Sequence, residues 1–233
     1  MDDKWPFKFR ERPPIEGKPI TLEEAEEYLL AKLNDPNESR QRALLELVRF
    51  YRSTGRAADA MGCAEEYLAG SNDPEEKAEM YFHLGQAMEQ VRDWESAIWF
   101  YEKALELEPK SELYWYLIHN NIGYSLNQLK RYSEAEKYLQ KAITLDPSRA
   151  NAFKNLGLSL EGQGRFGDAA RSFMAAVQAD ASDPRALKHL EELAERHTEV
   201  YVDIPDLSHQ ITRCREVVEY VAELSSRDKP PLN

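Results

Sequence analysis

Apolar residues fall three and four apart along much of the chain. Leu44, Leu47, Val48 and Tyr51 make one such stripe; Tyr81, Leu84 and Met88, Ile122 and Leu126, and Leu156 and Leu160 make others. This spacing places them on one face of an α-helix, with charged residues on the opposite face. The stripes come in pairs joined by short turns, which predicts an all-α chain of helical hairpins. Thr21 with Glu24 three residues later forms a capping box and predicts a helix over 22–33, ending before Asp35-Pro36. Toward the C-terminus, Leu187, Leu190, Leu193 and Ala194 predict a helix over 185–199. Val200–Ile204 reads as a short extended stretch punctuated by Pro205. Leu207, Ile211, Cys214, Val218 and Val221 then predict a last helix over 206–225.

The pairs repeat. The strings GRAADA, RDWESA, KRYSEA and GRFGDA end on Ala60, Ala97, Ala135 and Ala169, which are 37, 38 and 34 residues apart. Twelve residues before the last three stand Gly85, Gly123 and Gly157. Glycine and alanine mark places where two backbones approach too closely for a larger side chain. Proline ends the second helix of a pair, because it lacks an N–H and clashes with the preceding turn. One pair cannot bury its own apolar face, whereas stacked pairs share a continuous core.

In this register the chain resembles the tetratricopeptide repeat, a 34-residue helix–turn–helix unit. Unit 78–111 carries Tyr81, Leu84, Gly85, Met88, Ala97, Tyr101, Ala104 and Pro109 at the signature positions. Unit 116–149 carries His119, Ile122, Gly123, Leu126, Ala135, Leu139, Ala142 and Pro147. Unit 150–183 carries Phe153, Leu156, Gly157, Leu160, Ala169, Phe173 and Ala176, with Ala181 in place of the proline. Unit 41–74 is degenerate: Val48 replaces the glycine, and Tyr67 stands where a small residue belongs. The resemblance implies a right-handed superhelical solenoid of these four units. Around it are expected a flanking helix in 21–40, capping helices in 184–225, an extended arm over 1–20 and a tail over 226–233. Val48 is expected to push the first pair slightly apart. Residues 75–77 are an insertion, and Glu112 to Trp115 should start the next helix a turn early, near Ser111. Leu113, Tyr114, Trp115 and Tyr116 are expected to pack between repeats or to form an aromatic lip.

Charge narrows the function. Lys and Arg number 30 against 42 Asp and Glu, a net charge of −12. That balance opposes non-specific binding to nucleic acid or anionic membrane, since both need Lys or Arg against phosphate. No apolar run approaches a membrane span, and MDDKWPFKFRERPP lacks the apolar segment of a secretory signal, so a soluble cytoplasmic protein is expected. Cys63 and Cys214 make no disulfide framework or zinc site. Catalytic motifs are absent, and EGQGRFG at 161–167 falls in a repeat turn rather than after a strand. His189 and His197, even with His209 or Cys214, are too few and too scattered to predict a metal site. No enzyme, cofactor or metal is therefore expected.

What remains is surface. The resemblance implies a concave groove lined from positions 2, 5, 6 and 9 of each unit. The candidate binding residues are Glu79, Phe82, His83, Gln86, Asn120, Asn121, Tyr124, Asn151, Lys154, Asn155, Arg185, Lys188 and His189. An asparagine amide donates and accepts, as a peptide bond does, so Asn121 and Asn155 suggest a short ladder for a peptide backbone. The basic clamp with which some family members grip a C-terminal carboxylate is incomplete here: only Asn155 and Arg185 match. Glu79, Gln86 and Glu89 lie at one end of the groove and Lys154, Arg185 and Lys188 at the other, so the acidic or C-terminal end of a partner peptide is expected near 154–188. The expected function is non-catalytic protein–protein interaction, as adaptor, scaffold or chaperone-like module, with an unidentified protein or peptide partner. The alternative is self-association into a homodimer, through helix 206–225 or through the arm in which Trp5, Phe7 and Phe9 alternate with Lys4, Lys8 and Arg10.

Overall fold

A computed structural model describes residues 21–227. The arm over 1–20, and the tail beyond residue 227, lie outside the described residues; Ser226 and Arg227, assigned to the tail by sequence, continue the last helix. Among the described residues there are twelve helices and no strand. They are α1 (Leu22–Asn34), α2 (Arg40–Ser53), α3 (Ala57–Gly70), α4 (Pro74–Gln90), α5 (Trp94–Glu106), α6 (Glu112–Gln128), α7 (Tyr132–Leu145), α8 (Ala150–Gly162), α9 (Phe166–Ala179), α10 (Arg185–Arg196), α11 (Val200–Asp203) and α12 (Leu207–Arg227). None is long and apolar enough to cross a membrane.

Local chemistry sets the helix starts. Thr21 Oγ1 accepts the Glu24 amide at 3.2 Å, and Glu24 Oε2 accepts the Thr21 amide at 2.9 Å, the reciprocal capping box read from the sequence. Asp73 caps α4, with Pro74 in the first turn, where a missing N–H costs nothing. Residues 75–77 are therefore an extra helical turn and not a loop. α6 begins directly after Ser111, although that serine makes no side-chain cap.

Four hairpins follow, α2–α3, α4–α5, α6–α7 and α8–α9. Each turns through a residue with positive φ: Gly55 (72°), Arg92 (61°), Lys130 (60°) and Gly164 (75°). The next amide then bonds back across the turn, as in Arg56 N to Tyr51 O (2.8 Å) and Arg131 N to Leu126 O (2.9 Å), which occupies carbonyls left over at the helix end. The glycine string at 161–167 is one of these turns.

Close approach of the paired helices is set further in. A Cβ on Gly85 would lie 2.5 Å from the Tyr101 ring, and on Gly123 2.4 Å from Leu139 Cγ. Gly157 meets Phe173 in the same way. In the first pair the equivalent positions hold Val48 and Ala64, both fully buried. The bulk has moved from the second helix to the first, which offsets the spreading expected of Val48 alone.

First helices α2, α4, α6 and α8 touch one another in succession, while α3, α5, α7 and α9 make no comparable contact among themselves. The stack therefore bends with the first helices inside. At its end, Val200–Asp203 of the stretch read as extended forms the short helix α11, and Ile204 follows it. Val200, Ile204, Leu207 and Ile211 are buried at steps of four, three and four, one helical stripe running on into α12, while Val202 is 81% exposed. A run of β-branched residues reads as a strand, but its buried members keep helical spacing. Leu207, Ile211, Cys214 and Val218 turn inward onto α9, α10 and α11, so this stripe packs onto the end of the stack.

Candidate functional site

The inner face can be followed from α2 to α10. At its start, Arg49 and Arg52 of α2 reach across to α4. Arg49 pairs with Glu79 and donates from Nε to His83 Nε2 at 3.0 Å. Arg52 donates to Gln86 Oε1, and its Nη1 lies 3.0 Å from His83 Nδ1. Bonding to His83 and Arg49 holds the Glu79 carboxyl down at about 2. Burial, with both arginines nearby, pushes the His83 imidazole down, so it is neutral near pH 7. Three candidates, Glu79, His83 and Gln86, are thus joined in one network with two arginines that sequence reasoning missed. Their signal was present, since Arg49 and Arg52 occupy positions 9 and 12 of the degenerate unit.

In the middle, Phe82 is buried rather than lining a groove. Tyr114 stands edge-on to it at 5.3 Å, and Tyr101 lies at 5.9 Å. Trp115 donates Nε1 to Pro109 O at 2.6 Å and stacks on His119; Tyr116 is buried, and Leu113 is exposed. The aromatic group beginning α6 therefore mostly packs between repeats. Tyr124 stands edge-on to Trp94 at 5.7 Å and stays half-buried.

The asparagines bond to each other. Asn155 Nδ2 donates to Asn120 Oδ1, Asn120 Nδ2 to Asn121 Oδ1, and Asn121 Nδ2 to the Tyr101 hydroxyl, each at 3.1 Å. Tyr101 in turn bonds to Glu89, which also accepts from Ser125 Oγ at 3.2 Å. Burial outweighs these bonds and pushes the Glu89 carboxyl up to about 7. A parallel rung joins α6 to α8: Ser159 Oγ donates to Asn127 Oδ1 at 2.6 Å, and Asn127 Nδ2 to Asn155 O at 2.8 Å. Asn120 and Asn155 are buried and Asn121 half-buried, so the ladder holds the repeats together.

The far end is less basic than its sequence suggests. Lys154 is buried, donates to exposed Asn151 at 3.2 Å and lies 4.0 Å from Asp183. Burial, with Arg185 nearby, pushes its ammonium down. Asp183 clasps Arg185 through two oxygens, at 2.8 and 2.6 Å, and Lys188 faces Glu192 at 3.8 Å. His189 stacks on Phe173, and His197 on Phe166 at 3.7 Å. Among the described residues no three His, Cys, Asp or Glu side chains converge as a metal would require, and both cysteines are free.

Helices paired in this register, with glycine against an aromatic or leucine at a fixed offset, are what the tetratricopeptide repeat model describes, and it matches residues 78–111 and 116–149. Residues 78–111 and 116–149 are two tetratricopeptide repeats. A solved structure of MamA, residues 41 to the end, from Desulfovibrio magneticus RS-1, superposes with a TM-score of 0.62 at 19% identity, covering 82% of this chain and 98% of that one. A second MamA structure, MSR-1 C2, gives 0.56 at 20% identity, over 78% and 98%. At such identity the likeness is one of fold, the tetratricopeptide solenoid. Among curated relatives, the protein CTR9 homolog of Arabidopsis thaliana is 28% identical over 141 residues, which is 59% of this chain and 12% of that protein. The O-mannosyl-transferase Tmtc3 of Drosophila melanogaster is 28% identical over 81 residues, 35% of this chain and 8% of that protein. The chain thus matches only a small part of each of these relatives.

Proposed function

We propose that this protein is a non-catalytic adaptor or scaffold that holds an extended segment of a protein partner against the inner face of its first helices. The observation that supports this most is the polar lining of a face that curved stacking turns inward. Asn121, Tyr124, Asn151 and Gln86 keep solvent exposure there, and amides and hydroxyls complement a peptide backbone. Pull-down with the full chain, followed by mass spectrometry, identifies candidate partners. Binding of a captured partner should then fall at least tenfold in Tyr124→Ala/Asn151→Ala, with the helical circular-dichroism signal unchanged. Undiminished binding in that variant overturns the reading.

Self-association is a second reading. Val217, Tyr220 and Leu224 of α12 are 49%, 62% and 43% exposed, and steps of three and four put them on one face. Light scattering of the full chain and of Val217→Glu/Leu224→Glu separates the two readings. A dimer that dissociates in the variant supports the second; a parent that is already monomeric removes it.

A further inference from the structure

We propose that Arg52 is an oxyanion anchor that binds a carboxylate carried by the partner segment; this rests on the groove reading above. Two guanidinium groups face one imidazole at the start of the inner face, and only one of them has a carboxylate. Arg49 takes Glu79. No Asp or Glu oxygen lies within 4.0 Å of Arg52 among the described residues; it meets Gln86 and His83, through Nη1. Arg49 Nε and Arg52 Nη1 each lie 3.0 Å from a ring nitrogen of His83, and a neutral ring, which carries one proton, accepts from only one of them. Besides the ring, Arg52 meets only the uncharged Gln86 Oε1 among the described residues. Nε and Nη2 of Arg52, one side of the guanidinium fork, bond to no described residue. That side has the spacing of a bidentate carboxylate.

A partly buried cation without a counter-ion is held at a cost. Burial first, and then Arg49, lower the Arg52 pKa, whereas nearby Tyr101 and Tyr114 only partly offset this. An arriving carboxylate removes that cost. The cations at the opposite end are already served, Lys154 and Arg185 by Asp183 and Lys188 by Glu192. The partner's acidic part therefore sits at α2 and α4, the reverse of the orientation that the sequence suggests.

The test uses the full chain labelled with nitrogen-15 and observes the arginine Nε–Hε signals. Sodium acetate is titrated against sodium chloride at constant ionic strength. The Arg52 signal should shift and saturate while that of Arg185 stays still. A second arm uses two fluorescent capped nonapeptides, alternating Asn-Glu and alternating Asn-Gln. The Glu peptide should bind more tightly, and Arg52→Gln should weaken it about tenfold without changing the Gln peptide. Arg52→Lys should restore only part, since it returns the charge without the fork. Equal shifts at all arginines, or Glu preference that survives in Arg52→Gln, overturns the anchor. Saturation by inorganic phosphate but not acetate overturns its assignment to carboxylate. Acetate binding at Arg52 with neither peptide bound speaks against the groove and leaves the anchor standing.

Discussion

At the scale of single residues, the hairpin turns show how an unfavourable choice is carried by its setting. Four equivalent residues adopt positive φ, and two of them are Arg92 and Lys130. A side chain in that region clashes with its own backbone by about 1–2 kcal/mol. A Cβ at Gly55 or Gly164 would meet nothing within 4 Å, so those glycines serve the backbone angle alone. Arg92→Gly and Lys130→Gly should each stabilise the fold by about 0.5–1 kcal/mol, the relief exceeding the added freedom of the unfolded chain. Urea unfolding measures this, and a loss of stability in both would show that their side chains contribute more than the turn costs. The two glycine turns were readable from sequence. The other two were not, because arginine and lysine carry no sign of the angle they adopt.

At the scale of elements, the bonds from Asn155 through Asn120, Asn121 and Tyr101 to Glu89 all point one way and cross α8, α6, α5 and α4. They end on a carboxyl that the fold keeps protonated to about pH 7. The unfolded chain releases that proton near 4.5, so folding takes up a proton between the two values and stability falls as pH rises through them. At roughly 1.36 kcal/mol per unit, the loss by pH 8 is on the order of 3 kcal/mol. Glu89→Gln cannot ionise, so it should match the parent near pH 5 and exceed it by up to that amount at pH 8. Glu79 and Asp183, held near 2, act in the opposite sense, giving stability that is lost only as pH falls below about 4.5, outside this window. Parallel unfolding curves for variant and parent from pH 5 to 8 would remove Glu89 as the source. The spacing of Asn121 and Asn155 was legible in the sequence. Their bonding was not, because Asn120 and Tyr101 join it from other positions, and Glu89 was placed by its charge when its burial governs it.

At the scale of the molecule, each repeat leans on its neighbours, and the last one leans on α12. Ending the chain at residue 205 removes Leu207 and Ile211, both buried, from over Leu190 and Leu193. Uncovering them should cost roughly 4 kcal/mol and speed hydrogen exchange in α10 before the central repeats. Val217→Glu/Leu224→Glu, which changes only exposed positions, should leave that exchange alone; equal exchange in the truncated chain would mean that α10 caps the stack by itself. The hairpin architecture was legible because its period is written in glycine and alanine. Its closing elements were less so, since a buried stripe broken by Pro205 resembles a strand beside a helix.

The exchange of Val48 and Ala64 for glycine and a large residue bears on ancestry as much as on packing. Repeats of this kind lengthen or shorten when similar copies recombine out of register. A hairpin joining α2 to any of the later second helices would set Val48 against Tyr101, Leu139 or Phe173, and one joining α4 to α3 would set Gly85 against Ala64 and leave a hole. The first hairpin is therefore exchanged whole at less cost to packing than when its two helices are parted.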